Sequence, residues 1–148
     1  MVLVSDAGIF FSGLNTGALL RVNAEMQVTL VCSLPTGCHN AQPFKDGVVF
    51  NDTVSNVVRA VDRSGQSFVQ KIMMYPETAL DYAGVDSSKI ARQGFARGLC
   101  VIDDQFVAVG SSPSTITIYD LQASRRLTGV NLTMDIRNAI HGLEIWPF

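Results

Sequence analysis

Strand-length apolar runs, broken by turn residues, dominate this chain. Residues 47–52 and 105–110 are rich in Val and Phe, as expected of strands buried on both faces. Thr115-Ile116-Thr117-Ile118-Tyr119 instead alternates, sending its isoleucines to one side and its threonines to the other. Further strands are predicted at 9–13, 19–23, 27–31, 67–72 and 126–130. Between them lie polar stretches such as Asn15-Thr16-Gly17 and Ser111-Ser112-Pro113-Ser114, whose residue types favour tight turns.

The runs repeat. Residues 39–52 followed by 56–62 match residues 97–110 followed by 115–120, and His39 to Asp62 spans 23 positions, as does Arg97 to Asp120. The turn acids Asp46 and Asp104 each fall seven positions after the first residue. An earlier copy is entered part-way at Asp6-Ala7-Gly8, and a later one starts at His141-Gly142-Leu143. Four strands every 40 to 45 residues or so is the spacing of propeller blades. A β-sandwich also needs regular short strands, but it does not require matching polar residues at one phase of successive units. The expected fold is therefore all-β: propeller-type four-stranded antiparallel meanders, about three blades plus one strand. Units are expected at 1–34, 35–73 and 95–134, with a closing strand at 139–148 and an insertion at 74–94.

A closed propeller generally has four or more blades, so this chain leaves open sheet edges. Self-association or a missing N-terminal half would close the ring. Within the insertion, 74–83 and 86–93 each suit a short helix, the second capped by Asp86 or Ser87. The insertion is either a surface loop or a lid over the channel mouth.

Charge narrows the function. With 11 basic and 13 acidic residues the formal net charge is -2, which offers no basic footprint for nucleic acid or an anionic membrane surface. No run of about 18 apolar residues suggests a membrane span. Cys32, Cys38 and Cys100 are odd in number and lack paired spacing, which points to reduced thiols and a cytoplasmic setting. The triplets at Asn51 and Asn131 are then chance matches to a glycosylation signal.

Equivalent first-strand positions carry His39, Arg97 and His141, expected to line the central channel. Arg97 offers a fork for a carboxylate or phosphate. Asn40, Asp135 and Arg137 are further ligand-binding candidates, although Asp135 and Arg137 also suit a local salt bridge. A divalent metal is a second option, with His39, His141 and Asp52 as ligands. Cys38 beside His39 does not make a thiol–base pair, because neighbours in a strand point to opposite faces. No nucleophile elbow, phosphate loop or paired cysteine cluster is present.

Phe95-Ala96-Arg97-Gly98-Leu99, Val109-Gly110-Ser111-Ser112 and His141-Gly142-Leu143-Glu144-Ile145-Trp146-Pro147 resemble the blade motifs of an uncharacterised bacterial propeller-like family. His39-Asn40-Ala41-Gln42-Pro43 is similar to another of its blades. More distantly the layout is similar to gluconolactonase-like and streptogramin-lyase-like propellers, in which metal or substrate sits at the channel mouth. This chain lacks a clear set of their acidic ligands. The expected function is binding of a small polar or anionic ligand at the channel mouth. The alternatives are a metal-assisted lyase or hydrolase and a protein-interaction scaffold.

Overall fold

The computed structural model describes residues 2–84 and 92–146. These form three four-stranded antiparallel sheets, each a meander in chain order. The first sheet holds β1 (Val2–Ser5), β2 (Gly8–Ser12), β3 (Ala18–Val22) and β4 (Val28–Ser33). The second holds β5 (Cys38–Phe44), β6 (Gly47–Asp52), β7 (Val57–Val61) and β8 (Ser67–Lys71). The third holds β9 (Gly98–Val101), β10 (Phe106–Ser111), β11 (Thr115–Asp120) and β12 (Arg125–Asn131). The blade-like repeat is thus present in the fold. No helix among the described residues is long and apolar enough to cross a membrane.

The two-residue period of each strand stacks the sheets in sequence order. In the second sheet Val48, Phe50, Cys38 and Val61 point to the first sheet, where they meet Phe10, Leu19 and Leu34. Val49, Val58 and Ala60 point the other way, onto Leu99, Val107, Val109 and Tyr119 of the third sheet. The second sheet is therefore buried on both faces, which explains its unbroken Val/Phe runs. Each fully buried Val or Leu here contributes about 1.5–3 kcal/mol.

Side-chain amides join the second and third sheets. β9 is an edge strand, and its outer backbone groups meet side chains instead of another strand. Gln42 Nε2 donates to Leu99 O at 2.9 Å, and Gln42 Oε1 accepts from the Val101 N–H at 3.2 Å. Asn51 Nδ2 donates to Gly98 O at 2.9 Å. The edge is thereby satisfied inside the structure.

The terminal stretch differs from expectation. Residues 139–146 form no strand in this chain, and 147–148 lie outside the described residues. The segment runs over the outer side of β9 and β10, with the Ile140 N–H bonded to Ser111 O at 3.4 Å. In the insertion, the helix expected at 74–83 reduces to a 3-10 turn at Glu77–Ala79. The one expected at 86–93 lies largely outside the described residues. Asp81 forms a parallel bridge with Asp135, tying the insertion to the chain beyond β12.

Candidate functional site

The site forms where β5 meets the entry to β9. Arg97 directly precedes β9 and is anchored by its N–H to Gly110 O at 2.9 Å. Phe95 is two residues earlier, also ahead of β9. The Arg97 guanidinium carbon lies 4.1 Å from the Phe95 ring centre, and that of Arg92 4.9 Å. The His39 ring meets Phe95 edge-on, 5.9 Å between centres at 73°. His141, on the terminal segment, brings Nδ1 to 3.5 Å from Arg97 Nη1. Its backbone oxygen accepts from Asn40 Nδ2 at 3.2 Å.

Asn40 occupies this place because β5 is irregular. The register shifts between His39 and Gln42, and Asn40 has a φ of 53°, a conformation that Asn tolerates better than most residues.

Hydrogen bonding fixes the His39 tautomer. The Thr53 hydroxyl donates its single hydrogen to Ala96 O at 2.9 Å. Its contact with His39 Nδ1 at 2.8 Å must then be a bond donated by the imidazole, which leaves Nε2 with a free lone pair in the neutral ring. Burial, followed by the charges of Arg97 and His141, lowers the His39 pKa below its ordinary value. His39 is therefore held neutral near pH 7.

Arg92 is tied down, donating to Asn56 Oδ1 and Thr53 O at 2.5 Å each. Arg97 is not. Its Nε is buried without a hydrogen-bond partner, and it forms no ion pair among the described residues. Two guanidiniums and the His39 imidazole thus surround one aromatic ring, with His141 beside Arg97 and no carboxylate paired to Arg97 among the described residues. Such a cluster suits an anion carrying planar oxygens.

His39, Asn40, Arg97 and His141 come together, but not as equivalent positions of a repeat. His39 pairs with Asn51, whereas the matching residue of β10, Gly110, pairs with Gly98. Arg97 therefore stands one position out of phase with His39. This offset turns Arg97 toward the second sheet while His39 turns toward the third, so the two converge in the junction. The shared spacing of 23 hides it, because the loop joining β6 to β7 (residues 53–56) is one residue longer than that joining β10 to β11 (residues 112–114).

The other candidates are engaged differently. Asp52 lies on the opposite face of β6 from Asn51, so it points away from His39. Its Oδ1 accepts from the Ser55 N–H at 3.1 Å, and its Oδ2 lies 3.5 Å from Arg59 Nη2. The metal set His39, His141 and Asp52 is consequently not assembled, and no group of three His, Cys, Asp or Glu among the described residues is placed to hold an ion. Cys38 shares the Asp52 face, and burial, with the Asp52 charge adding, pushes its thiol up to about 11. Asp135 and Arg137 form the local fork, with Arg137 Nε 2.9 Å from Oδ1 and Nη2 2.7 Å from Oδ2. Arg137 also stacks on Tyr82 at 3.7 Å.

Phe95, Arg92 and Thr53 were not singled out in the sequence. An aromatic two residues before Arg97 was a readable signal, but Arg92 and Thr53 reach the site only through tertiary folding. A groove of about 570 Å³ between the first and second sheets includes Cys32, Pro35, Phe50, Arg59 and Arg63 in its lining. A cleft of about 150 Å³ beside Phe44, Phe68 and Leu121 lies between the second and third. Neither is lined by the residues around Phe95.

Comparison with known proteins yields no matching family model and no matching curated protein. Among solved structures, the chain is similar to selenomethionine-substituted virginiamycin B lyase from Staphylococcus aureus, at 15% identity and a TM-score of 0.44. The alignment covers 81% of this chain and 40% of the lyase chain, so this chain spans about two fifths of that protein.

Proposed function

We propose that this chain is a propeller module that binds a small anionic ligand, a carboxylate or phosphate, at the junction of β5 and the entry to β9. The observation that carries the reading is Arg97: stacked on Phe95, its Nε buried without a partner, and no carboxylate paired to it among the described residues. In this reading Arg97 holds the anion through its free N–H groups. His141 donates through Nε2, since Nδ1 faces the guanidinium. Asn40 holds the terminal segment, and with it His141, in place. The free thiols Cys32, Cys38 and Cys100 fit a cytosolic setting.

Isothermal titration calorimetry with inorganic phosphate and with succinate tests this reading. Measurable binding that weakens about tenfold or more in Arg97→Gln, the range expected for losing a hydrogen-bonded charge, supports it. Absence of binding by the unmodified protein, or equal binding by the variant, overturns it.

One observation favours a second reading, a lyase. His39 is neutral with Nε2 unprotonated and lies beside a guanidinium able to stabilise developing negative charge, the pairing that proton removal next to a carboxylate requires. Hydrogen–deuterium exchange into a bound carboxylate, lost in His39→Gln, would support it. Binding without exchange favours the binding module.

A further inference from the structure

The two junctions between sheets follow one plan but are closed by different side chains. The ladders fix the equivalence: Val61 pairs with Val48 as Tyr119 pairs with Val107. On the last strand of the earlier sheet, Ser33 pairs with Ala18 as Lys71 pairs with Val57. The next residue agrees, since the Leu34 N–H donates to Gly17 O at 2.8 Å and the Ile72 N–H to Asn56 O at 3.0 Å.

Between the second and third sheets, Tyr119 closes the junction. It is fully buried in one core with Val58 and Ile72, and its hydroxyl donates to Lys71 O at 3.1 Å. Leu121, two residues on, is buried with it, and the cleft that remains is only about 150 Å³. Between the first and second sheets the counterparts of Tyr119 and Leu121 are Val61 and Arg63. Valine is too short to cross the junction, and Arg63 is exposed, with its charge in water. A groove of about 570 Å³ is left, with Val48, Phe50 and Val61 on one wall and Cys32, Ser33 and Pro35 on the other. That volume and that largely apolar wall are those of small-molecule sites.

We infer that this groove binds a small phenol. The ring takes the place that the Tyr119 ring fills in the other junction, and the hydroxyl donates to Ser33 O, the counterpart of Lys71 O. Charge does not select the ligand: Arg59 and Arg63 line the groove together with Asp46 and Asp62, two of each sign. Arg59 is already drawn to Asp52, and the Asp62 carboxylate accepts from Ser64 and from the Gln66 N–H within its own turn. Ring and hydroxyl are therefore the parts recognised. None of the residues around Phe95 lines this groove, so the inference does not rest on anion binding at Arg97.

The test is titration of the protein with p-cresol, the tyrosine side chain as a free molecule, followed by nuclear magnetic resonance of the valine methyl groups. The expected result is that the methyls of Val31, Val48 and Val61 shift along one saturating curve. Toluene, which lacks the hydroxyl, should bind about fivefold more weakly, the loss of one hydrogen bond. Val61→Tyr, which supplies the protein's own ring to the groove, should abolish binding, with circular dichroism as the check on folding. Arg97→Gln should bind p-cresol as the unmodified chain does, which separates this site from the anion site. Methyl signals of the unmodified protein that do not move, equal affinity for toluene, or undiminished binding by folded Val61→Tyr each overturn the inference. The methyl shifts of the unmodified protein decide the matter if Val61→Tyr does not fold.

Discussion

Ile140 fills the space that a side chain on Gly110 would occupy: a β-carbon built on Gly110 would lie 2.5 Å from Ile140 Cγ2 and 2.9 Å from Ile140 O. The absence of a side chain at Gly110, and the close approach of Ile140 O to Gly98, let the terminal segment lie flat on the third sheet. That seating delivers His141 to Arg97. Gly110→Ala should therefore lift the segment, cost about 1–3 kcal/mol from overpacking, and weaken phosphate binding together with it. Chemical denaturation and calorimetry on the same variant check both effects.

Gln42 serves two backbone groups of an edge strand at once, and no other described side chain takes both. Gln42→Leu keeps the volume but leaves Leu99 O and Val101 N–H without those bonds, at a cost of about 1–3 kcal/mol for each group that stays buried. Urea denaturation should show a lower midpoint, and hydrogen exchange should show faster opening of β9 than of β10.

The lowered pKa of His39 gives stability a sign with pH. Its unfolded value is near 6.5 and its folded value lies below that, so the unfolded chain takes up the proton first as pH falls. The contribution of neutral His39 is complete above about pH 6.5 and is lost progressively as the pH drops toward the folded value. Thermal melts between pH 7.5 and 5 should show this loss, and His39→Gln should reduce its slope. An unchanged slope would show that His39 is not held neutral by the fold.

Asp135 and Arg137 provide the counter-prediction. Their charges satisfy each other in a fork beside Tyr82, and Arg137 holds the Asp135 carboxyl below its usual range. Asp135→Asn should leave phosphate and succinate affinities unchanged. A tenfold loss in calorimetry would put this pair in the ligand site.

The three meanders were legible because each rests on local signals: alternation in β11, Val/Phe runs in β6 and β10, and turn residues between them. The convergence of His39, Arg97 and His141 was also legible, but for a reason that differs from the geometry. Equal spacing suggested equivalent positions, whereas the ladder sets Arg97 one residue out of phase, and a one-residue slip reverses the face on which a side chain stands. Asp52 was drawn into a metal set for lack of the same information, since the alternation along β6 turns it away from His39. The terminal segment read as a strand because it echoes Arg97-Gly98-Leu99. In the fold it lies instead against Gly98 and Gly110. Arg92 entered the site across an insertion whose path no periodic pattern predicts.

The chain has two histidines, both in the proposed site, so their imidazole resonances report on it directly. Nuclear magnetic resonance of these rings during titration with inorganic phosphate measures the central claim. The account predicts that the signals of His39 and His141 shift together along one saturating curve, and that Arg97→Gln abolishes the response. Histidine signals that stay fixed while phosphate binds elsewhere would contradict it.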